Sequence, residues 1–181
     1  KLEIKTQRGI TILNLEIMIG LGISIPHQHA IHLSIGDTHQ GGIIFYLDGS
    51  GGGLVATPTD GTDAYWGCKG TVITGADGTA IGTGAQNTID IEAECTTANT
   101  AADLCSDATV GGYSDWFLPS KDELNEMYVN RVAIGGFSIA TYWSSSEFNL
   151  NYARVQVFNA SGTQGSQQKD VSGKIRACRA F

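Results

Sequence analysis

The segment Gly112-Tyr113-Ser114-Asp115-Trp116-Phe117-Leu118-Pro119-Ser120-Lys121-Asp122-Glu123-Leu124 constrains this chain most, because it fixes where an extended, aromatic run must stop and a helix must start. Pro119 has no N–H to give and biases Leu118 towards an extended backbone. Ser120 and Glu123 then spell S-x-x-E, a capping box that satisfies two orphan donors of the first helical turn. Leu124, Met127 and Tyr128 follow on one face, and Gly135-Gly136 supplies the stop. The spacing predicts a helix over 121–132, sharply capped and pinned beside an aromatic core.

The chain divides in two at about residue 36. From Leu13 the apolar residues fall on Leu13, Leu15, Ile17, Ile19, Leu21, Ile23 and Ile25, with Met18 the exception to a period of two. That is a long strand with one apolar face. Left unpaired it would aggregate, so something covers it: the domain's own sheet, neighbouring chains, or the next subunit of a filament. Packing between chains is the reading favoured here, with residues 1–36 as an assembly element forming a trimer or a filament. Burying each Leu or Ile contributes about 1.5–3 kcal/mol before ordering costs, enough for stable association.

Residues 37–181 read as mixed α+β. Strands are expected at Gly41–Leu47, Leu54–Thr57, Thr141–Ser145, Ala153–Phe158 and Gly173–Ala180. A helix capped by Asn87 or Thr88 should run towards Cys95, and Ala101–Cys105 should add a short helical piece.

The formal charge of −7 argues against nucleic-acid partners and anionic membrane surfaces. Only 16% of residues are charged, and with so much Gly, Ser, Thr and Asn the composition is that of an extracellular, strand-rich protein. No stretch has the length and character of a membrane span, so no membrane insertion is expected. Cys68, Cys95, Cys105 and Cys178 permit three pairings, and no C-x-x-C points to zinc. The working expectation is Cys95–Cys105 with Cys68–Cys178, the former needing a chain reversal near Thr96–Thr100; four buried thiols are the alternative.

The quoted segment is joined by Gly41-Gly42-Ile43-Ile44-Phe45-Tyr46, Tyr65-Trp66-Gly67-Cys68, Ile81-Gly82-Thr83-Gly84-Ala85-Gln86-Asn87-Thr88, Tyr142-Trp143-Ser144-Ser145-Ser146-Glu147 and the terminal Arg176-Ala177-Cys178-Arg179-Ala180-Phe181. Together, over about residues 36–181, these resemble the C-terminal domain of collagen-like bacterial adhesins, the Lcl-type domain. That family lies within the C-type-lectin-like and formylglycine-generating-enzyme-like superfamily. The resemblance implies a C-type-lectin-like fold, with two helices and a twisted, mainly antiparallel sheet holding both ends of the domain. The fold hosts many ligands, so it does not decide function.

The best ligand-site candidate is the stretch from Glu147 to Lys169, rich in Asn, Gln and aromatics, which combine donors and acceptors with large contact area. It also resembles the variable region of diversity-generating-retroelement proteins. By that resemblance Phe148, Asn149, Leu150, Asn151, Tyr152, Arg154, Gln156 and Asn159 are outward-facing binding positions; the alternative is a solvated polar loop. Trp66, Trp116 and Trp143 are expected in the core rather than stacked on sugars. Asp48, Asp60, Asp63, Asp77 and Asp115 lie in or near Gly-rich loops, but the Glu-Pro-Asn or Gln-Pro-Asp triplet of calcium-dependent lectins and the EF-hand spacing are absent. Arg176 and Arg179 are expected to pair with carboxylates such as Asp115 or Glu123, or to cap carbonyls.

His27 and His29 would share one side of a strand, and in a three-fold assembly such pairs could hold an axial metal, as in the H-x-H sites of trimeric phage tail fibres; a solvated linker is the plainer reading. The superfamily's oxidases use a cysteine pair to bind copper, yet Cys178 has no second cysteine a few residues away. No nucleophile–base pair suggests itself, so neither an enzyme nor a cofactor is expected. The reading is an extracellular, cell-surface or phage-virion binding module that recognises a host or cell-surface protein or glycan. A filament subunit assembled by strand complementation is the alternative, with a formylglycine-generating-type oxidase behind both.

Overall fold

The computed structural model describes residues 6–7, 10–11 and 32–181. The chain falls into two units, residues 1–32 and 33–181. In the first, β1 (Thr6–Gln7) pairs antiparallel with β2 (Ile10–Thr11). The expected strand over Leu13–Ile25 and the His27/His29 pair lie outside the described residues. The second unit starts four residues earlier than the sequence indicates. Leu33 packs against its core, and the Gly36 N–H donates to the Ile44 carbonyl at 2.9 Å.

The unit from residue 33 is α+β. One sheet holds β3 (Thr38–His39), β4 (Gly42–Leu47), β5 (Gly53–Ala56) and β9 (Cys178–Ala180), antiparallel in the order β3-β4-β5-β9. The beginning and the end of this unit therefore lie in one sheet. Asp48 makes the turn between β4 and β5, its Oδ1 accepting from the N–H groups of Ser50 (2.7 Å) and Gly52 (3.0 Å). A second sheet is the meander β6 (Thr141–Asn149), β7 (Tyr152–Val157) and β8 (Gln164–Gln168). The expected strand over Gly173–Ala180 is shorter, only Cys178–Ala180. Upstream, Gly173 and Lys174 make single bridges to Ala64 and Tyr142, and Arg176 leaves the ladder to enter the core.

Four helices are described: α1 (Gly84–Glu94), α2 (Ala101–Ser106), α3 (Lys121–Val129) and α4 (Arg131–Ile134). The capping box at Ser120 and Glu123 is present in both directions, as is a second at Thr100 and Asp103. Where one helix was expected over 121–132 there are two, because Asn130 breaks off and donates its side-chain amide to the Phe45 carbonyl at 3.0 Å. Helix α1 starts before Asn87 and Thr88, whose side chains turn inward instead. Asn87 Nδ2 donates to the Gly78 carbonyl (2.7 Å), and Thr88 Oγ1 accepts from the Leu118 N–H (3.1 Å). Gly84 must be glycine, since a Cβ there would stand 2.2 Å from Glu123 Oε2.

All three tryptophans are core. Trp66 and Trp143 have no exposure, and their indole N–H groups donate to the Ser144 carbonyl (2.9 Å) and the Ala64 carbonyl (3.1 Å). Arg179 pairs with Asp115 as expected. Arg176 pairs with Asp60 rather than Glu123, donates to the Thr57 and Gly136 carbonyls (both 2.6 Å) and lies 4.0 Å over the Phe137 ring.

The disulfide is Cys68–Cys95, with Cα atoms 5.6 Å apart, and this replaces both expected pairs, Cys95–Cys105 and Cys68–Cys178. Cys95 sits just beyond α1 and meets the Gly67-Cys68 turn. Cys105 faces inward from α2, while Cys178 lies on β9 in a different part of the core with Phe117 and Met127. Burial pushes both free thiols well above the ordinary cysteine range. Two thiols should therefore titrate under denaturing, non-reducing conditions; four, or none, would contradict this arrangement. The bridge spans a sequence separation of 27 residues, so reducing it should lower unfolding stability in denaturant titrations by about 3–4 kcal/mol.

Candidate functional site

The segment from Glu147 to Lys169 is the end of β6, all of β7, the edge strand β8 and the two turns between them, not a single loop. In β7, Ala153 and Val155 point into the core, and Tyr152, Arg154 and Gln156 take the other face by the alternation of a strand. Residues 152–156 pair with residues 168–164, placing Tyr152 opposite Gln168 and Arg154 opposite Ser166. Asn149 builds the β6–β7 turn: its Oδ1 accepts from the N–H groups of Asn151 (2.9 Å) and Tyr152 (3.0 Å). Asn159 does the same for the next turn, accepting from Ser161 (2.9 Å) and Gly162 (3.2 Å). Part of the asparagine richness that reads as a binding surface is thus turn chemistry.

The structure separates the eight candidate residues by role. Phe148 and Leu150 are exposed, at 49% and 43%. Asn149 and Asn159 are exposed, but their Oδ1 atoms are committed to turns. Asn151, Tyr152 and Arg154 are half-buried. Gln156 is not an outward position: it is 1% exposed, and its Nε2 donates to the Gly162 carbonyl at 2.7 Å, holding the turn after β7. Short range explains the error, because Gln156 follows the alternation of Arg154 but lies beside α3, near Asn125.

Phe148, Tyr152 and Arg154 do come together. The Arg154 guanidinium lies 4.1 Å over the Phe148 ring, and the Tyr152 hydroxyl accepts from Gln168 Nε2 at 3.4 Å. Arg154 makes no ion pair among the described residues, and its Nε is buried without a hydrogen-bond partner. A half-buried cation without a carboxylate, beside an exposed ring, is suited to contact a polar or acidic group from outside.

Residues that sequence reasoning missed complete the surface. The loop after Cys68 docks on the hairpin through the Gly70 N–H and the Leu150 carbonyl (2.8 Å), and Lys69 Nζ donates to Gln168 Oε1 (2.7 Å) and Asp170 Oδ2 (2.8 Å). Beneath it Lys169 and Glu147 form a buried ion pair. Lys169 also donates to the Thr71 carbonyl (2.8 Å) and sits 4.4 Å over the Trp66 ring, while Glu147 Oε1 accepts from the Ile73 N–H (3.0 Å). No local pattern announces this pair, since Gln167-Gln168-Lys169 reads as solvated.

Among the described residues no group of three metal-ligating side chains comes together. Four of the aspartates weighed for calcium have other tasks: Asp48 in its turn, Asp60 on Arg176, Asp63 on Lys174 and Asp115 on Arg179. No described helix is long and apolar enough to cross a membrane.

No family model and no curated protein matches the chain. Among solved structures, a fimbrial protein from Bacteroides ovatus matches with a TM-score of 0.57 and 16% identity over 83% of this chain and 49% of that one. At that identity the likeness is one of fold, and this chain spans about half the length of that protein.

The buried pair makes a direct prediction. Lys169→Ala leaves Glu147 buried without its counter-charge and should cost about 3–5 kcal/mol in chemical denaturation, whereas Lys169→Met combined with Glu147→Leu should recover most of the loss. A loss below about 1 kcal/mol for Lys169→Ala, the range of an exposed pair, would mean that the pair is not buried in solution.

Proposed function

We propose that the chain is an extracellular or cell-surface binding module of C-type-lectin-like, Lcl-type architecture, which contacts a host or cell-surface protein or glycan through the outer face of the β6–β7–β8 hairpin region. The observation that carries this reading is the row of Phe148, Arg154 and Tyr152, a stacked ring and cation beside a hydroxyl–amide pair. These groups sit on strands backed by the buried Glu147–Lys169 pair, so the surface is preorganised and loses little freedom on binding. The Cys68–Cys95 disulfide fits an oxidising compartment. Both free thiols are buried with raised pKa, which gives an oxidase reading no accessible thiolate to rest on.

A second reading, a subunit of a surface filament, is favoured by the structural likeness to a fimbrial protein. The two are compatible: residues 1–32 would assemble the chain and the hairpin face would make contacts. In the assembly, the alternating Leu/Ile segment supplies an apolar face and backbone groups for strand addition to a neighbouring copy.

Tyr152→Ala together with Arg154→Ala should weaken binding to target surfaces by about 30-fold or more, the loss expected from a hot spot, with the melting temperature unchanged. Unchanged binding by this folded variant would reject the hairpin face. Light scattering of residues 1–181 beside residues 33–181 tests assembly. A multimer that becomes a folded monomer on truncation identifies the N-terminal unit as the assembly element, with a trimer indicating a display tip and a polydisperse rod a filament. Two monomers would reject assembly.

A further inference from the structure

Beside the hairpin lies a notch of about 290 Å³ lined by Tyr65, Gly67, Cys68, Lys69, Thr97, Lys169 and Asp170. Apart from Lys169, which ends the candidate stretch and is buried, none of these residues belongs to the ligand surface read from the sequence. We propose that this notch binds one uncharged hexopyranose residue of a glycan, with Tyr65 as the stacking platform and Lys69, Asp170 and Gln168 as partners of its hydroxyl groups. The proposal rests on the surface-binding function above and names one class of ligand for it.

The exposed tyrosine is a product of the fold. Ala64 and Trp66 on either side are buried, and the backbone between them is held from two directions. Ala64 and Gly173 exchange N–H···O bonds of 3.0 and 2.9 Å, and the Tyr65 carbonyl accepts from the Ala101 N–H at 2.8 Å. Strand alternation then sends the Tyr65 ring outward, where it is 54% exposed. A single exposed aromatic is ordinary. Here it lines a concavity together with Gly67 and Cys68, which the surrounding packing holds in place. Gly67 has φ +96°, and a Cβ there would fall 2.6 Å from Thr100 Cγ2 and 3.1 Å from Cys95 Sγ, while the disulfide ties the adjacent Cys68 to Cys95.

The polar side chains of the notch, Lys69 and Asp170, and Gln168 bonded to Lys69, are already oriented. Lys69 holds Gln168 and Asp170 through two hydrogen bonds, and this exposed ion pair adds little to stability. The ammonium, amide and carboxylate keep unspent donors and acceptors, which is what neighbouring hydroxyls, each both donor and acceptor, require. The notch is at the small end for ligand sites and suits a single ring. Its lining includes an aromatic ring and no Leu, Ile or Val side chain, which fits the C–H face of a pyranose better than a Leu or Phe side chain. Both lysines of the lining are already paired, Lys69 with Asp170 and Lys169 with Glu147, so no unmatched cation awaits an anionic sugar, and the chain's net charge of −7 disfavours one. Gln168 also donates to the Tyr152 hydroxyl, so a glycan anchored here continues onto the hairpin face.

Saturation-transfer NMR on the full chain tests this, using methyl glycosides of glucose, galactose, mannose and N-acetylglucosamine at millimolar concentration. At least one should show transfer concentrated on one ring face. Tyr65→Ala should weaken it by about tenfold and Tyr65→Phe should keep it, with circular dichroism verifying the fold of both. No transfer from any of the four, or transfer that Tyr65→Ala leaves unchanged, overturns the proposal. If sugar transfer is absent while the Tyr152/Arg154 double variant still loses surface binding, the notch fails and the hairpin face stands. Sugar transfer beside a double variant of undiminished surface binding leaves the notch standing and removes the hairpin face.

Discussion

Glu123 is the joint on which the helical half of this unit depends. It has no solvent exposure, and it does more than close a capping box. One carboxylate oxygen accepts from the Ser120 N–H at 2.7 Å, and the other accepts from the Gly82 N–H at 2.7 Å, so α3 and the turn before α1 share one anion. Burial pushes its pKa up, and the hydrogen bonds from Ser120, Gly82 and Gly84 oppose that shift. The Ser120 hydroxyl in turn donates to the Ala80 carbonyl at 2.9 Å. A residue that reads as a local cap is therefore also a tertiary tie, and Gly84 is required because the carboxylate occupies the place of its side chain.

The remaining buried charges repeat this pattern. Glu147 with Lys169, and Arg176 with Asp60, each bind an ion pair to backbone carbonyls or N–H groups from segments distant in sequence. Such pairs repay their desolvation only when every remaining donor and acceptor is satisfied, and here they replace regular secondary structure as the cross-braces of irregular chain. Lys169 and Asp170 are neighbours with opposite fates, one buried beneath Trp66 and the other exposed on Lys69. The candidate surface is thereby welded to the core one residue from where it meets solvent.

What the sequence discloses follows the range of the interaction. The Ser120/Glu123 box, the short helix after Thr100, the buried tryptophans and most strands are legible because their causes lie within a few residues. The start of α1 is not: Asn87 and Thr88 look like caps, and only the approach of Leu118 and Gly78 turns them inward. The disulfide fails for the same reason, since Cys68 meets Cys95 through a turn that no periodicity marks. At the site, Phe148, Tyr152 and Arg154 come from a family resemblance, and Tyr152 and Arg154 follow the alternation of β7, whereas Asp170 is brought to Tyr65 and Lys69, far away in sequence, only by the fold. Gln156 obeys the same alternation and is buried all the same, because α3 covers that end of the strand.

The proposed division of labour between the two units has a physical rationale. A notch that holds one sugar ring, or a row of three side chains, yields weak binding by itself, with dissociation constants on the order of millimolar. Displayed in several copies on one assembly, the same site gains from effective concentration, and avidity exceeds the single-site affinity by about 10²–10⁴ with no new contact. An N-terminal segment that spends its apolar face on association and a folded unit that keeps its charges braced inside are therefore complementary. On the proposed reading the first would multiply a surface that the second holds rigid.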